Sequence, residues 1–273
     1  GAGDRVYDAA PVLGAEEVQN GTFELGSEEI TDGDFSSSVN WAESGDQWVI
    51  NNNTATYTGD GNANELLQEI SFIGGRTYQI KIDVASIGGT LKVRFNNEQA
   101  NKAEFSQTGI QTLYITATGS GNITDDLSIS REPGVFNAVL NSVSVKEVPN
   151  WVLGDGWSAL NGKARNDGTT GTFNLSQGGL LVVGKSYQIT IEVSDFVSGE
   201  VEVSAGGTPR GTMTANGKYT FNQVADGTVF YIIAKTFNGS VDNVSVKEIK
   251  PAESFAIVGT KAFIHQQPYI PQY

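Results

Sequence analysis

The sequence contains no cysteine, and its 273 residues include one histidine and one methionine. The absence of cysteine excludes disulfides, thiolate metal sites and cysteine nucleophiles, so the folded state must be stabilised by packing. The single histidine, His265, lies near the carboxyl terminus. The rest of the chain therefore has no histidine that could form a Ser-His-Asp triad or bind a metal ion.

Other catalytic patterns are also missing. No glycine-rich segment has the spacing of a phosphate-binding loop followed by Lys and Ser or Thr. The carboxylate pairs Glu28-Glu29 and Asp125-Asp126 are adjacent in sequence, so their side chains point in different directions instead of facing each other across a cleft. We interpret them as surface charge and expect the protein not to be an enzyme.

Positive charge is scarce, with 17 Lys and Arg against 31 Asp and Glu, a formal net charge of -14 and a pI of about 4.4. Long-range repulsion from a phosphate backbone therefore argues against a nucleic-acid partner. No run of about 18 apolar residues occurs, so we expect no membrane insertion.

The chain is organised around an octet that occurs twice, Asn-Ser-Val-Ser-Val-Lys-Glu-Val at 141–148 and Asp-Asn-Val-Ser-Val-Lys-Glu-Ile at 242–249. Apolar and polar residues alternate in both copies, which is typical of a half-buried strand. Pro149 follows the first octet and Pro251 comes shortly after the second, and proline lacks the N–H needed to continue a ladder. Each octet is therefore predicted to be the last strand of a β domain.

The two domains are related by an internal repeat. The strand-like segment 75–84 (GRTYQIKIDV) matches 184–193 (GKSYQITIEV), and Trp41 matches Trp151 at nearly the same offset. With 33 glycines and 10% aromatic residues, the composition fits short strands joined by tight turns. The predicted fold is all-β, with two tandem antiparallel β-sandwich (jelly-roll) domains and extended N- and C-terminal arms. The predicted boundaries are an N-terminal arm at 1–15, β-sandwich domain 1 at 16–148, β-sandwich domain 2 at 149–249 and a C-terminal docking tail at 250–273.

The order of the motifs Asn-Gly-x-Phe, Trp, Gly-x-x-Trp, Gly-[Arg/Lys]-[Thr/Ser]-Tyr-Gln-Ile and Asp-Asn-Val-Ser-Val-Lys-Glu resembles carbohydrate-binding-module-like jelly rolls. It looks in particular like the version found, often in tandem, in structural proteins of tailed bacteriophages, and the resemblance covers residues 18–249. It implies a non-enzymatic virion protein, a capsid decoration or head or tail fibre component, whose partners are other virion proteins or copies of itself. The alternative is a secreted, extracellular polysaccharide-binding module or an accessory region of a glycosidase, with surface glycans as partners.

Three aromatic residues are candidates for carbohydrate binding: Trp48, Tyr57 and Trp157. A sugar-binding surface usually offers an exposed flat ring beside amide or carboxylate partners, and asparagines lie near all three in sequence. The other interpretation is that these rings fill the cores of the two domains, because the tryptophans recur at matching positions.

The resemblance also leaves a structural calcium ion open, since related modules often bind one between the Asn-Gly-x-Phe-Glu segment and the start of the last strand. Glu24 and Asp242 are the candidate ligands. The octet alignment places Asn141 at the position of Asp242, which weakens such a site in the first domain. No other cofactor is expected.

The tail contains two strand-like segments, 255–258 and 261–264, followed by a proline-containing aromatic end. An exposed tail this apolar would be a liability, so we predict that it docks on a partner. The alternative is that it folds back on its own second domain. The predicted docking residues are Phe255, Phe263, Tyr269 and Tyr273.

Overall fold

The computed structural model of the chain describes residues 6–7, 11–59, 64–95, 102–131, 137–251, 254–258 and 261–265. Every regular element in these ranges is a β-strand, which confirms the predicted all-β class. The first eleven strands are β1 (Val6–Tyr7), β2 (Val12–Glu16), β3 (Ala42–Ser44), β4 (Trp48–Asn51), β5 (Thr54–Thr58), β6 (Glu65–Ile73), β7 (Thr77–Gly88), β8 (Leu91–Phe95), β9 (Lys102–Phe105), β10 (Gly109–Thr116) and β11 (Asn122–Arg131). The other eleven are β12 (Asn137–Val148), β13 (Val152–Leu153), β14 (Trp157–Leu160), β15 (Lys163–Asp167), β16 (Thr172–Gln177), β17 (Ser186–Ala205), β18 (Gly211–Met213), β19 (Gly217–Val224), β20 (Phe230–Lys250), β21 (Ser254–Val258) and β22 (Lys261–His265).

The chain divides into two compact units. The continuous unit comprises Phe23–Arg165, and the discontinuous unit comprises Gly1–Thr22 together with Asn166–Tyr273. Each contains antiparallel β-sandwich architecture, as the repeated octets predict. The unit boundaries differ from the predicted domains 16–148 and 149–249, because a segment that precedes the first sandwich belongs to the second.

Two five-stranded antiparallel sheets form the continuous unit, in the orders β10-β7-β12-β5-β4 and β3-β6-β11-β8-β9. Their inner faces enclose an aromatic core in which the Phe72 ring lies 4.6 Å from Phe95 and 6.0 Å from Tyr78. The first octet lies in β12, where it pairs with β7 on one side and contacts residues 26–33 on the other, whereas β5 pairs only with the preceding residues 137–140. It is thus an interior strand whose alternation reflects one face in the core.

In the discontinuous unit, the sheet is organised around the long strand β20. This strand pairs with β16, β17 and β2, and β17 also pairs with β18 and β19. Buried aromatic and β-branched side chains fill its core, including Tyr187, Ile189, Phe230 and Phe237. The second octet forms the last part of β20, where it pairs with β17 on one side and β2 on the other.

The predicted N-terminal arm, residues 1–15, contains most of β2, which was not predicted. β2 lies antiparallel to β20, with Val12 opposite Lys250 and Glu16 opposite Lys247. Four of its five residues are exposed, so no period-two pattern marks it in the sequence. β2 is held against β20 through its backbone and its polar groups. The second sandwich therefore includes residues that precede the first sandwich in the sequence.

The tail forms part of a separate three-stranded sheet in the order β1-β21-β22. Within the β21–β22 hairpin Ser254 lies opposite His265, and Val6 of β1 lies opposite Ala256 of β21. The two strands predicted from the sequence are confirmed, and they join the N-terminal strand of their own chain. Among the described residues no helix is long and apolar enough to cross a membrane.

Candidate functional site

A 12-residue segment near the N terminus occurs twice in direct succession, at 12–23 (VLGAEEVQNGTF) and 24–35 (ELGSEEITDGDF). The structure separates the two copies, because most of the first lies in the discontinuous unit and the second in the continuous unit. The identical pairs are Leu13 and Leu25, Gly14 and Gly26, Glu16 and Glu28, Glu17 and Glu29, Gly21 and Gly33, and Phe23 and Phe35.

In the continuous unit, the second copy runs along the octet of β12. The carboxylate of Glu28 accepts hydrogen bonds from the hydroxyl of Ser144 and the backbone N–H of Val145, both at 2.6 Å. It also accepts a longer bond, 3.4 Å, from the backbone N–H of Ile30. We call this arrangement the glutamate clamp. At this point the segment pairs with β12 only through an isolated bridge, Glu28 opposite Lys146, and the clamp adds charge-assisted hydrogen bonds to it.

The discontinuous unit contains an equivalent clamp. The carboxylate of Glu16 accepts a hydrogen bond of 2.6 Å from the backbone N–H of Val246, and one from the hydroxyl of Ser245. The backbone N–H of Val18 donates to the same carboxylate at 3.3 Å. Every partner of Glu28 therefore has a counterpart in the other unit.

A buried glutamine completes each arrangement. In the continuous unit the Gln68 side chain donates to the carbonyl of Thr31 and accepts from its N–H, both at 2.8 Å. In the discontinuous unit Gln177 donates to the carbonyl of Gln19 at 2.6 Å and accepts from its N–H at 3.0 Å. A side-chain amide that bonds to both the N–H and the carbonyl of one residue makes the same pair of hydrogen bonds as a residue of a neighbouring strand. The pairing fixes the position of each segment.

The glycines of the two copies lie directly against the octets. The carbonyl of Gly33 accepts from Val143 N–H at 2.7 Å, and that of Gly21 accepts from Val244 N–H at 3.0 Å. A β carbon at either glycine would overlap the carbonyl oxygen of the valine that it contacts. These positions therefore require glycine because of close backbone approach.

A second structural feature is an open cleft of about 320 Å³ in the continuous unit. Its lining combines charged, amide and apolar groups, and it consists of Phe23, Glu24, Leu25, Gly26, Gln79, Lys81, Lys146, Ala159, Leu160, Asn161 and Gly162. These residues come from four separate parts of the chain, so no local motif could have predicted the cleft. Asn161 and Gly162 form the two-residue turn that joins β14 to β15, with φ values of 53° and 72°.

Hydrogen bonds hold the floor of the cleft in place. The Gln79 side chain donates to the Tyr114 hydroxyl at 2.6 Å and to the Ala159 carbonyl at 2.8 Å. The Tyr114 hydroxyl in turn donates to the Ala159 carbonyl at 2.8 Å, and burial raises the pKa of Tyr114. The phenol therefore stays neutral and acts as a structural hydrogen-bonding group.

Two lysines give the cleft its positive charge. Lys81 and Lys146 are half-buried, and within the described residues neither forms an ion pair. Leu160, 44% exposed, contributes an apolar surface on the rim. The arrangement offers two ammonium donors beside amide and aliphatic groups, which suits a polar ligand carrying an anionic group.

No protein-family model matches the chain, and neither does any curated protein sequence. Among solved structures, the chain is similar to the CBM22-1–CBM22-2 tandem domain of Paenibacillus barcinonensis Xyn10C, at 10% identity and a TM-score of 0.31, over 83% of this chain and 98% of that one. It is also similar to an allantoicase, at 9% identity and a TM-score of 0.33, over 81% of this chain and 90% of that one. A third similar structure is the adhesin domain of Epf from Streptococcus pyogenes, at 12% identity and a TM-score of 0.28, over 87% of this chain and 83% of that one. These scores are too low to transfer a ligand or an activity.

The predicted carbohydrate-binding aromatics are all in the core. Trp48, Tyr57 and Trp157 are 1%, 0% and 3% exposed, and the Trp48 and Tyr57 rings pack 5.2 Å apart. A sugar needs an accessible ring face, so the structure corrects the sugar-binding interpretation in favour of core packing. The nearby Asn52 and Asn53 form the turn between β4 and β5, with φ values of 51° and 59°.

The two candidate calcium ligands lie in different units. Glu24 lines the cleft, whereas Asp242 accepts a hydrogen bond of 2.7 Å from the backbone N–H of Asn243. No group of three or more His, Cys, Asp or Glu in the described ranges is placed to hold a metal ion. Of the predicted docking residues, Phe255 lies in β21 and Phe263 in β22. The side chains of both, and all of Tyr269 and Tyr273, lie outside what the structure describes.

Hydrogen bonding at the start of the two octets differs locally by one residue. The Asn141 side chain donates to Asp83 at 3.1 Å, and the Asn243 side chain donates to Glu192 at the same distance. Asp83 and Glu192 occupy matching positions of the repeat. Asn141 and Asn243 therefore make equivalent side-chain hydrogen bonds although they are one position apart in the octet alignment, because the register shifts of β12 and β20 differ at this point.

Proposed function

We propose that the protein is a non-enzymatic structural component of a tailed-bacteriophage virion, a capsid decoration or fibre protein that displays two β-sandwiches. The observation that supports this proposal is the sheet β1-β21-β22, in which the two ends of the chain are paired. Within the described residues β22 pairs only with β21, so one edge of this sheet is available for strand addition. Such an element suits attachment to another virion protein or to a second copy.

The proposal is tested on purified phage particles from the producing culture. Quantitative mass spectrometry should find the protein in a fixed copy number relative to the major capsid protein, and immunogold labelling should place it on particles. The purified protein should have the native mass of a trimer or larger assembly. Absence from the particles, together with a monomeric mass, would contradict the virion role.

The cleft favours a second candidate function, a secreted polysaccharide-binding module. Lys81 and Lys146 place two ammonium groups beside the Asn161 turn in a chain whose net charge is -14. The lining also includes the carboxylate of Glu24, so the two lysines leave one net positive charge in the cleft, and positive charge on so acidic a protein favours an anionic ligand over a neutral one. The ligand class is therefore an acidic polysaccharide, such as one containing uronic acids.

Lys146 and Lys247 offer a matched comparison for this candidate. They occupy the same position of the two octets, but only Lys146 lines the cleft. Retention on alginate or polygalacturonate should fall about tenfold in Lys146→Gln, as expected for loss of one charge-assisted contact. Lys247→Gln should bind as the parent does. Equal losses in both variants would indicate non-specific ionic retention, and no binding by the parent would exclude this function.

A further inference from the structure

The second sandwich is completed by a strand segment that is distant from it in sequence. Residues 12–22 lie along the octet of β20, and the rest of the discontinuous unit begins only at Asn166. The segment contributes one well-buried apolar side chain, Val18, 5% exposed. Besides the strand pairing of β2 with β20, the segment is held by hydrogen bonds that include those of Glu16, Glu17, Gln19 and Gly21.

We propose that the groove beside β20 is a strand-acceptor site that receives residues 12–22 from a second copy of this chain as well as from its own. Strand exchange then links copies, and each sandwich is completed by a neighbour. The inference rests on the contacts of this groove and holds whether or not the virion role is correct.

The first argument is that the groove recognises a motif and not the surrounding chain. The same set of contacts, a glutamate clamp, a glutamine pairing and a close glycine, holds residues 28–33 against β12. Two grooves in different units therefore accept the same short pattern, Glu-x-[Val/Ile]-x-[Asn/Asp]-Gly. Binding that depends on backbone groups and a few side chains is the usual mode of strand addition.

The second argument concerns the entropy of closure. When the donor comes from the same chain, residues 23–165 lie between it and the remainder of its unit. This connection is a folded unit and not a short loop, so holding the donor in its own groove restricts the orientation of a whole unit and costs orientational entropy. Copies held close together at high local concentration can therefore compete with the intramolecular donor.

The absence of cysteine makes the exchange directly testable with full-length chains. Val12 and Lys250 are opposite each other in the β2–β20 register, and both are exposed. Directly opposite residues of antiparallel strands have Cα atoms about 4.5–5.5 Å apart, which permits a disulfide. The two single variants Val12→Cys and Lys250→Cys are unfolded together, refolded as a mixture and oxidised.

Exchange predicts a disulfide-linked heterodimer whose cross-linked peptides contain positions 12 and 250. Its yield should rise with total protein concentration and exceed, by at least about fivefold, the yield from Lys250→Cys mixed with Val39→Cys, an 86% exposed control position. Adding Glu16→Gln to the Val12→Cys chain should lower the yield, because the clamp is weakened. A yield no higher than the control, while the double variant Val12→Cys/Lys250→Cys cross-links within one chain, would overturn the proposal.

Discussion

The carboxylate of Glu28 accepts the backbone N–H of Val145 at 2.6 Å, so that a side chain replaces a ladder hydrogen bond of the repeated octet. Glu16 does the same for Val246 in the other unit. Both glutamates belong to the duplicated 12-residue segment, and both octets place a serine before the valine. In each unit, therefore, a 12-residue segment supplies the glutamate and the octet supplies its hydrogen-bond donors. The duplication preserved this interaction.

Removing the clamp should destabilise the continuous unit. Glu28→Ala leaves the N–H of Val145 and the hydroxyl of Ser144 without their carboxylate partner. Because Glu28 is exposed and water can replace it in part, we expect a loss of about 1–2 kcal/mol in the free energy of unfolding. Urea unfolding followed by tryptophan fluorescence measures it. Glu69→Ala, which removes an exposed carboxylate of the same unit, should change the value by less than about 0.5 kcal/mol.

The neighbouring Glu29 should have the opposite effect. Burial, together with the negative charges of Glu147 and Glu28, raises the pKa of Glu29. The folded state therefore holds this proton more tightly than the unfolded state, and ionised Glu29 costs stability as the pH rises through its folded pKa. Glu29→Gln removes that cost, so at pH 7 it should stabilise the unit by about 0.2–1 kcal/mol.

The pH dependence separates this effect from a change in packing. Below about pH 3, more than one unit under the ordinary glutamate pKa of about 4.3, the parent carboxyl is almost fully protonated in both states. The difference between Glu29→Gln and the parent should then disappear. Urea midpoints measured at both pH values test the sign, and a difference that does not vary with pH would contradict the electrostatic explanation.

The close approach of Gly21 to β20 gives a steric prediction. An added β carbon would overlap the Val244 carbonyl, so Gly21→Ala should cost about 1–3 kcal/mol in the unfolding of the discontinuous unit. Gly178 lies in the same unit with open space around it, and Gly178→Ala should stay within about 0.5 kcal/mol. Thermal unfolding of the two variants, compared with the parent, measures both. Equal stability in the two variants would show that the segment shifts away without penalty.

Local periodicity accounts for the part of the fold that could be predicted. The octets and the Gly-x-x-Tyr-Gln-Ile strands alternate because one face is buried, so their strand character and their duplication are readable in the sequence. The partner of a strand is a non-local property. Residues 12–23 and 24–35 are identical at six of twelve positions, including the clamp glutamate and the close glycine, so nothing local indicates which octet each one meets. The compact units therefore differ from the predicted domains in where residues 12–22 belong.

The candidate sites were harder to predict for a related reason. Trp48 and Tyr57 were placed beside asparagines that could bind a sugar, but Asn52 and Asn53 are there to allow positive φ in a turn. The cleft, by contrast, joins residues from 23 to 162 and depends on the pairing of strands.

Trp48 provides the sharpest test of the correction from sugar binding to core packing. Its ring is 1% exposed and packs against Tyr57, and its indole N–H points to the Asn64 carbonyl at 3.4 Å. Trp48→Ala should therefore cost about 3–5 kcal/mol, as for a large buried aromatic. Trp48→Phe retains most of the packing, so it should lose less stability and leave polysaccharide retention unchanged per folded molecule. If Trp48→Phe abolished retention on alginate at unchanged melting temperature, the ring would have to contact the ligand, and the core interpretation would be wrong.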